Sequence, residues 1–227
     1  MWDATVIDPS SKFLIQGEIG ERTAALTQSL LKHARARLTD PHGLVLFTDG
    51  FLSYQTLFPE VFGRPYRPAR QGSRGRFPKT AYRIPRSAAH VRIIKEYSGK
   101  RVVNVRTEIA AGTQVRVNEE LHRLGYHKPN TSAVERQNAT ARRMNPHLAR
   151  KSLAFARLRI HRESLAHLVQ GIYNWCRVQR GLRSKLDVPK GRQLYLQRTP
   201  AMTIGLTNYV WKVRDWLSQP QGVSCRA

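Results

Sequence analysis

Cysteine is almost missing from the chain. Cys176 and Cys225 stand far apart and no other is present. That excludes a disulfide framework and a cysteine-rich zinc finger within these residues. Long apolar runs are missing too: nothing approaches the roughly 20 residues a helix needs to cross a bilayer. The first residues show neither a basic n-region nor an apolar h-region, so no signal peptide is expected. The expected location is a bacterial-type cytoplasm, without membrane attachment. Acid is scarce. Against 39 lysines and arginines stand 15 aspartates and glutamates, a formal excess of 24 positive charges in 227 residues. This balance does not suit an ordinary cytosolic enzyme and points to a polyanionic partner. Nucleic acid is the leading class, with ribosomal-type RNA binding as a competitor to DNA. No basic segment forms an obvious amphipathic surface helix for an anionic membrane.

Residues 2–19 read as a hairpin around Asp8-Pro9-Ser10-Ser11, which is strong turn chemistry. Glu21 to Leu38 reads as a helix, with Ala25, Leu26, Leu30 and Ala34 at helical spacing and Arg35 and Arg37 near its C-terminus. Leu44 to Phe47 reads as a short buried strand, and residues 51–58 as the helix that leaves it. In residues 59–88 the prolines and glycines break any regular element. Arg64, Arg67, Arg70, Arg74, Arg76, Lys79, Arg83 and Arg86 follow there with no acid between them, and Tyr66, Phe77 and Tyr82 are interleaved. Arginine forks fit phosphate and aromatic faces stack on unpaired bases. The stretch therefore reads as a DNA-contacting loop; the plainer alternative is a solvated loop with no fixed partner.

Val91–Tyr97 and Arg101–Arg106 read as a second hairpin around Ser98-Gly99, carrying Lys95, Lys100, Arg101 and Arg106. Val117 to Leu124 reads as a short helix. Glu108, Glu119 and Glu120 read as solvated surface acids. A helix is expected from about Thr131, His161 to Gly181 as another, residues 184–198 as irregular, and Asn208 to Leu217 as a short packing helix. His161 and His167 have no third ligand nearby and read as surface or core-edge histidines.

Two acids stand out. Asp49 closes the apolar strand just before Gly50, at the carboxyl edge where ligands approach an open α/β sheet. A turn or cap role would account for it equally. Glu135 shares one helix face with Asn138 and Arg142, at i, i+3 and i+7. With Ser132 it also forms an S-x-x-E capping box, which needs no catalysis.

Together these stretches resemble the insertion-sequence transposases of the DDE class. The family carries its second catalytic aspartate on a TD-x-x-x-x-Y strand, here Thr48, Asp49 and Tyr54. It carries its glutamate on a helix of the N-T-x-x-V-E-R-x-N-x-x-x-R type, here Asn130 through Glu135 to Arg142. The likeness continues through 150–160, 173–183 and 198–217, and Arg142, Arg143, Arg150 and Lys151 would extend a DNA-facing track.

The resemblance implies a ribonuclease-H-like α/β core with a mixed sheet and flanking helices over residues 1–158, and a helical C-terminal extension over 159–227. It implies DNA transposition, with Asp49 and Glu135 as catalytic and metal-holding carboxylates. The eight basic residues of the loop, with Asn138 and Arg142, would bind DNA. Two magnesium or manganese ions would serve cleavage and strand transfer in a complete site. The partners would be mobile-element ends and target DNA, met by a homo-oligomer. The family's first aspartate lies on a strand before the hairpin. Asp8 falls in the turn and Asp3 on a later strand, so the expectation is an N-terminally truncated transposase, inactive alone. The alternative is a non-catalytic nucleic-acid-binding protein that keeps the scaffold.

Overall fold

The computed structural model describes residues 2–70, 72, 76–149, 153–154, 156–190 and 192–219, with backbone only for Pro189 and Lys190. Of the residues expected to meet DNA, Arg74, Arg150 and Lys151 lie outside the described residues. The protein is of mixed α/β type, with several small sheets, one of them three-stranded. It divides into two compact units, residues 1–6 with 18–134, and residues 7–17 with 135–227.

The chain opens on the expected hairpin, β1 (Trp2–Ile7) and β2 (Leu14–Gly20). Its turn is fixed by Asp8, whose carboxylate accepts from the backbone and hydroxyl of both Ser10 and Ser11. These bonds hold the Asp8 carboxyl below its usual range, although burial pushes it the other way.

In the first unit, α1 (Ala24–Arg35) starts at Thr23, whose side chain accepts from the Leu26 N–H. β3 (Val45–Asp49) follows, then α2 (Leu52–Phe62). β6 (Ala89–Ser98) pairs in parallel with β3, and β7 (Arg101–Ala111) pairs antiparallel with β6, giving the order β3-β6-β7. Between α2 and β6 lie β4 (Arg64–Tyr66) and β5 (Ala81–Arg83); after β7 comes α3 (Gln114–Leu124). Four consecutive apolar residues explain how β3 sits. Strand side chains alternate faces, so Leu44 and Leu46 join Leu31, Phe58 and Phe62 on one side. Val45 and Phe47 join Val91, Val117 and Leu121 on the other. The sheet is thus covered by α1 and α2 on one face and α3 on the other. Each fully buried side chain of this size contributes roughly 1.5–3 kcal/mol.

Several expectations are corrected. α2 runs through Pro59 to Phe62, beyond the expected end at residue 58. Proline removes one hydrogen bond within a helix; burial of Leu57, Phe58, Val61 and Phe62 outweighs it, and Gly63 ends the helix within a turn. Residues 59–88 are not wholly irregular, since β4 and β5 pair there. Glu120 is buried rather than solvated: Arg116 and Arg123 both bond its carboxylate. Burial raises its pKa, but the two guanidinium groups outweigh that and leave it lowered. Glu108 likewise pairs with the buried Arg92.

In the second unit, α4 (Ser132–Met144) crosses the division between the units, and α5 (Arg159–Gly171) passes into one π-helical turn, Ile172–Cys176. The expected continuation to Gly181 does not occur. β8 (Ser184–Lys190) and β9 (Gln193–Leu196) form a hairpin where irregular chain was expected. α6 (Pro200–Thr203) and α7 (Val213–Leu217) are short, so the expected helix from Asn208 begins only at Val213. Trp216 lies so close to Gly171 that a Cβ there would collide with its ring. Asn174 is buried and treats Leu14 as a strand neighbour would. Its Oδ1 accepts from the Leu14 N–H and its Nδ2 donates to the Leu14 carbonyl, both at 2.9 Å.

Candidate functional site

Asp49 ends β3 at its carboxyl edge. Its Oδ1 accepts from the Phe51 N–H at 3.1 Å, which turns the chain into α2. Its Oδ2 accepts from Nη2 of Arg22 at 3.2 Å, with both side chains 50 % exposed. The Arg22 guanidinium lies 5.0 Å from the Trp2 ring centre and 4.6 Å from that of Phe51, within reach of cation–π attraction. Tyr54 stacks edge-on against Phe51. Burial, and secondarily the charge of Asp49, push the Tyr54 hydroxyl up to about 12.

Two buried groups brace this strand end. Thr48 donates its hydroxyl to the Asp49 carbonyl at 3.1 Å and meets Nε2 of His90 at 2.9 Å. Which of the two donates in the Thr48–His90 bond follows from the His90 tautomer, and Nδ1 of the ring is buried without a partner among the described residues. His90 is fully buried against Phe58; burial first, and the Arg92 charge second, lower its pKa to about 4. Arg92 donates to the Gly50 carbonyl at 3.2 Å, to Gln55 at 2.9 Å and to both oxygens of Glu108 at 3.3 Å. Sequence reasoning missed Arg22, His90 and Arg92. The signal for Arg92 was a charge between the apolar Val91 and Ile93.

Glu135 belongs to the second unit, in the first turn of α4, and is exposed. Asn138 is half-buried and Arg142 exposed, while Gln137 is the buried residue of this helix. The expected capping box is displaced. Ser132 is the first helical residue, and its N–H and hydroxyl both donate to Oδ1 of Asn130. Asn130 holds the turn because it offers its acceptor two residues ahead.

A two-metal centre needs converging carboxylates. Among the described residues no three His, Cys, Asp or Glu side chains come together as a metal cage, and the cation beside Asp49 is Arg22. Asp49 and Glu135, the two carboxylates that the resemblance assigns to the ions, fall in different units. His161 and His167 are both exposed.

The arginines fall on a surface. Arg64 and Arg83 face one another across β4 and β5, both exposed. Arg83 lies 5.4 Å from the Tyr66 ring and Arg70 4.9 Å from that of Phe77. Arg67, Arg76, Lys79 and Arg86 are exposed, and Arg70 is partly covered. No helix of the described residues is long and apolar enough to cross a membrane. No protein-family model, curated protein or solved structure matches the chain.

Proposed function

We propose that the chain is a DNA-binding protein of DNA transposition, on the scaffold of a DDE-type transposase, and that alone it binds duplex DNA without cutting it. The observation that carries this reading is Arg64 opposite Arg83. Like charges directly opposed across a strand pair are destabilising, and a bridging phosphate converts that repulsion into two charge-assisted bonds. The excess of 24 positive charges supports the same partner class. The transposition context rests on the sequence resemblance. A ribonuclease-H-like core is supported by a parallel strand pair with Asp49 at its carboxyl end. The Arg22 guanidinium paired with Asp49 speaks against strand cleavage by this chain alone.

The test measures affinity for random-sequence duplexes against salt, with duplex RNA as competitor, and nicking of supercoiled DNA with magnesium or manganese. We expect binding that weakens steeply with salt. Replacing Arg64, Arg67 and Arg83 with glutamine should weaken all duplexes alike and flatten the slope by about one for each phosphate no longer neutralised. Preference for RNA would move the reading to the ribosomal class. Nicking that Asp49→Asn abolishes would make the chain itself the nuclease.

A further inference from the structure

We propose that the ribbon formed by Ile94–Ser98 and Arg101–Arg106 enters the major groove of duplex DNA. This rests on the reading that DNA is the partner, and it names a second binding surface apart from β4 and β5. The ribbon is the outer half of the β6–β7 hairpin. At its base, Ala89 to Ile93 are buried. Beyond that, every residue from Glu96 to Ser98 and from Arg101 to Thr107 is exposed, so neither face of the outer ribbon is covered by the described residues. Yet these faces are apolar in part: Tyr97 is 61 % exposed, Val103 63 %, Val105 49 % and Val102 47 %. A two-stranded ribbon is marginal in water, and clustered exposed apolar groups mark an interaction surface.

The tip is built to hold shape. Ser98 pairs with Arg101, which leaves a two-residue loop of Gly99 and Lys100. Gly99 has φ 58 and Lys100 is not left-handed, the pattern of a type II′ turn that matches strand twist. A register shift between Glu96 and Tyr97 adds further twist.

Charge selects the partner. Lys100, Arg101 and Arg106 are exposed there, and the one acid of the ribbon, Glu96, accepts from Asn104 at 3.0 Å. A second copy of the chain fits less well: self-pairing of β7 centred between Val103 and Asn104 would set Arg101 opposite Arg106 of the other copy. Dimensions then select the groove. Strands about 4.8 Å apart pass into a major groove about 12 Å wide but not into a minor groove of about 6 Å. Five residues at about 3.3 Å each exceed its depth of about 8.5 Å. The cations would meet the phosphate walls, and Tyr97 with the valines would meet base edges and thymine methyl groups.

The experiment uses the full chain and a duplex with 5-bromodeoxyuridine, whose bromine lies in the major groove. Photocross-linking should attach the DNA within residues 95–106, and Tyr97→Ala should remove most of that product. Replacing Lys100, Arg101 and Arg106 with glutamine should flatten the salt slope by roughly two to three while leaving the circular dichroism and melting unchanged. If cross-links form only elsewhere, or the slope is unmoved while the Arg64, Arg67 and Arg83 variant still weakens binding, the ribbon assignment is wrong and the DNA reading stands. If the unaltered chain binds no duplex, both fail. If Val103→Glu dissociates an oligomer and leaves DNA affinity alone, the ribbon is a self-association surface and the proposal is overturned.

Discussion

Arg22 holds the Asp49 carboxylate at 3.2 Å while its guanidinium lies over the rings of Trp2 and Phe51. The position that the transposase resemblance assigns to a metal ligand is thus served by an organic cation, anchored by two aromatic residues. Because the pair is half exposed, its electrostatic worth is small, under about 1 kcal/mol. Asp49→Asn should therefore change the urea midpoint only slightly. Arg22→Ala should cost more, about 1–2 kcal/mol, since two cation–π interactions go with it. Equal effects in urea melts would show that the rings contribute nothing.

The buried His90 makes stability depend on pH. Its folded pKa of about 4 lies below its ordinary value of 6.5. Between these values the unfolded chain binds a proton that the folded chain refuses, so stability is full above pH 6.5 and falls as the pH drops toward 4. The loss amounts to roughly 3 kcal/mol at most, at about 1.4 kcal/mol per unit. Glu120, with its lowered pKa, adds loss of the same sign below 4.5. Urea melts at pH 7, 6 and 5, with the His90 ring followed by NMR, check this; a His90 resonance that titrates near 6.5 would refute it.

Thr48→Val should cost about 1–3 kcal/mol, because Nε2 of His90 would be left buried without its hydrogen-bond partner. The loss should appear as earlier thermal unfolding, with the far-ultraviolet spectrum unchanged below the transition.

Much of this strand end was readable beforehand and some was not. Four apolar residues followed by Thr48-Asp49-Gly50 specify a strand with two buried faces and a carboxylate at its edge. The partners were hidden because they come from other elements: Arg22 lies 27 positions before Asp49, and Arg92 lies 42 after Gly50. Pro59 misled because a local helix-breaking rule competes with burial of Phe58 and Phe62, which depends on tertiary packing. β8 and β9 escaped because Lys185, Asp187 and Pro189, which alternate with Leu186 and Val188, are residue types depleted in strands. Ser132 is the first helical residue and donates to Asn130, a turn that the S-x-x-E pattern does not reveal.

Gly112→Ala should destabilise the first unit by about 1–3 kcal/mol. Gly112 has φ 86, and a Cβ there would meet the Ala88 carbonyl oxygen at 2.5 Å. Gly99→Ala, also at positive φ but with nothing within 4 Å, should cost less. Differential scanning calorimetry of the two variants decides whether backbone strain alone or the close approach dominates.

Asn174→Ala should cost about 1–3 kcal/mol, chiefly because the Leu14 N–H loses its acceptor. The Leu14 carbonyl keeps Gln170 as a donor at 3.3 Å. A melt unchanged from that of the unaltered chain would count against the bridge.

That bridge also orders events during synthesis. Asn174 follows Leu14 by 160 residues. At about 5–20 residues per second, the Leu14 backbone would wait on the order of 10–30 s for its partner to be translated. The first unit has its full complement of residues once Val134 has emerged. The tip of the opening hairpin belongs to the second unit, so it remains unfinished until residues beyond 134 arrive. Slow translation should therefore lengthen the exposure of this tip to proteases and chaperones, far more than that of β3 and its neighbours.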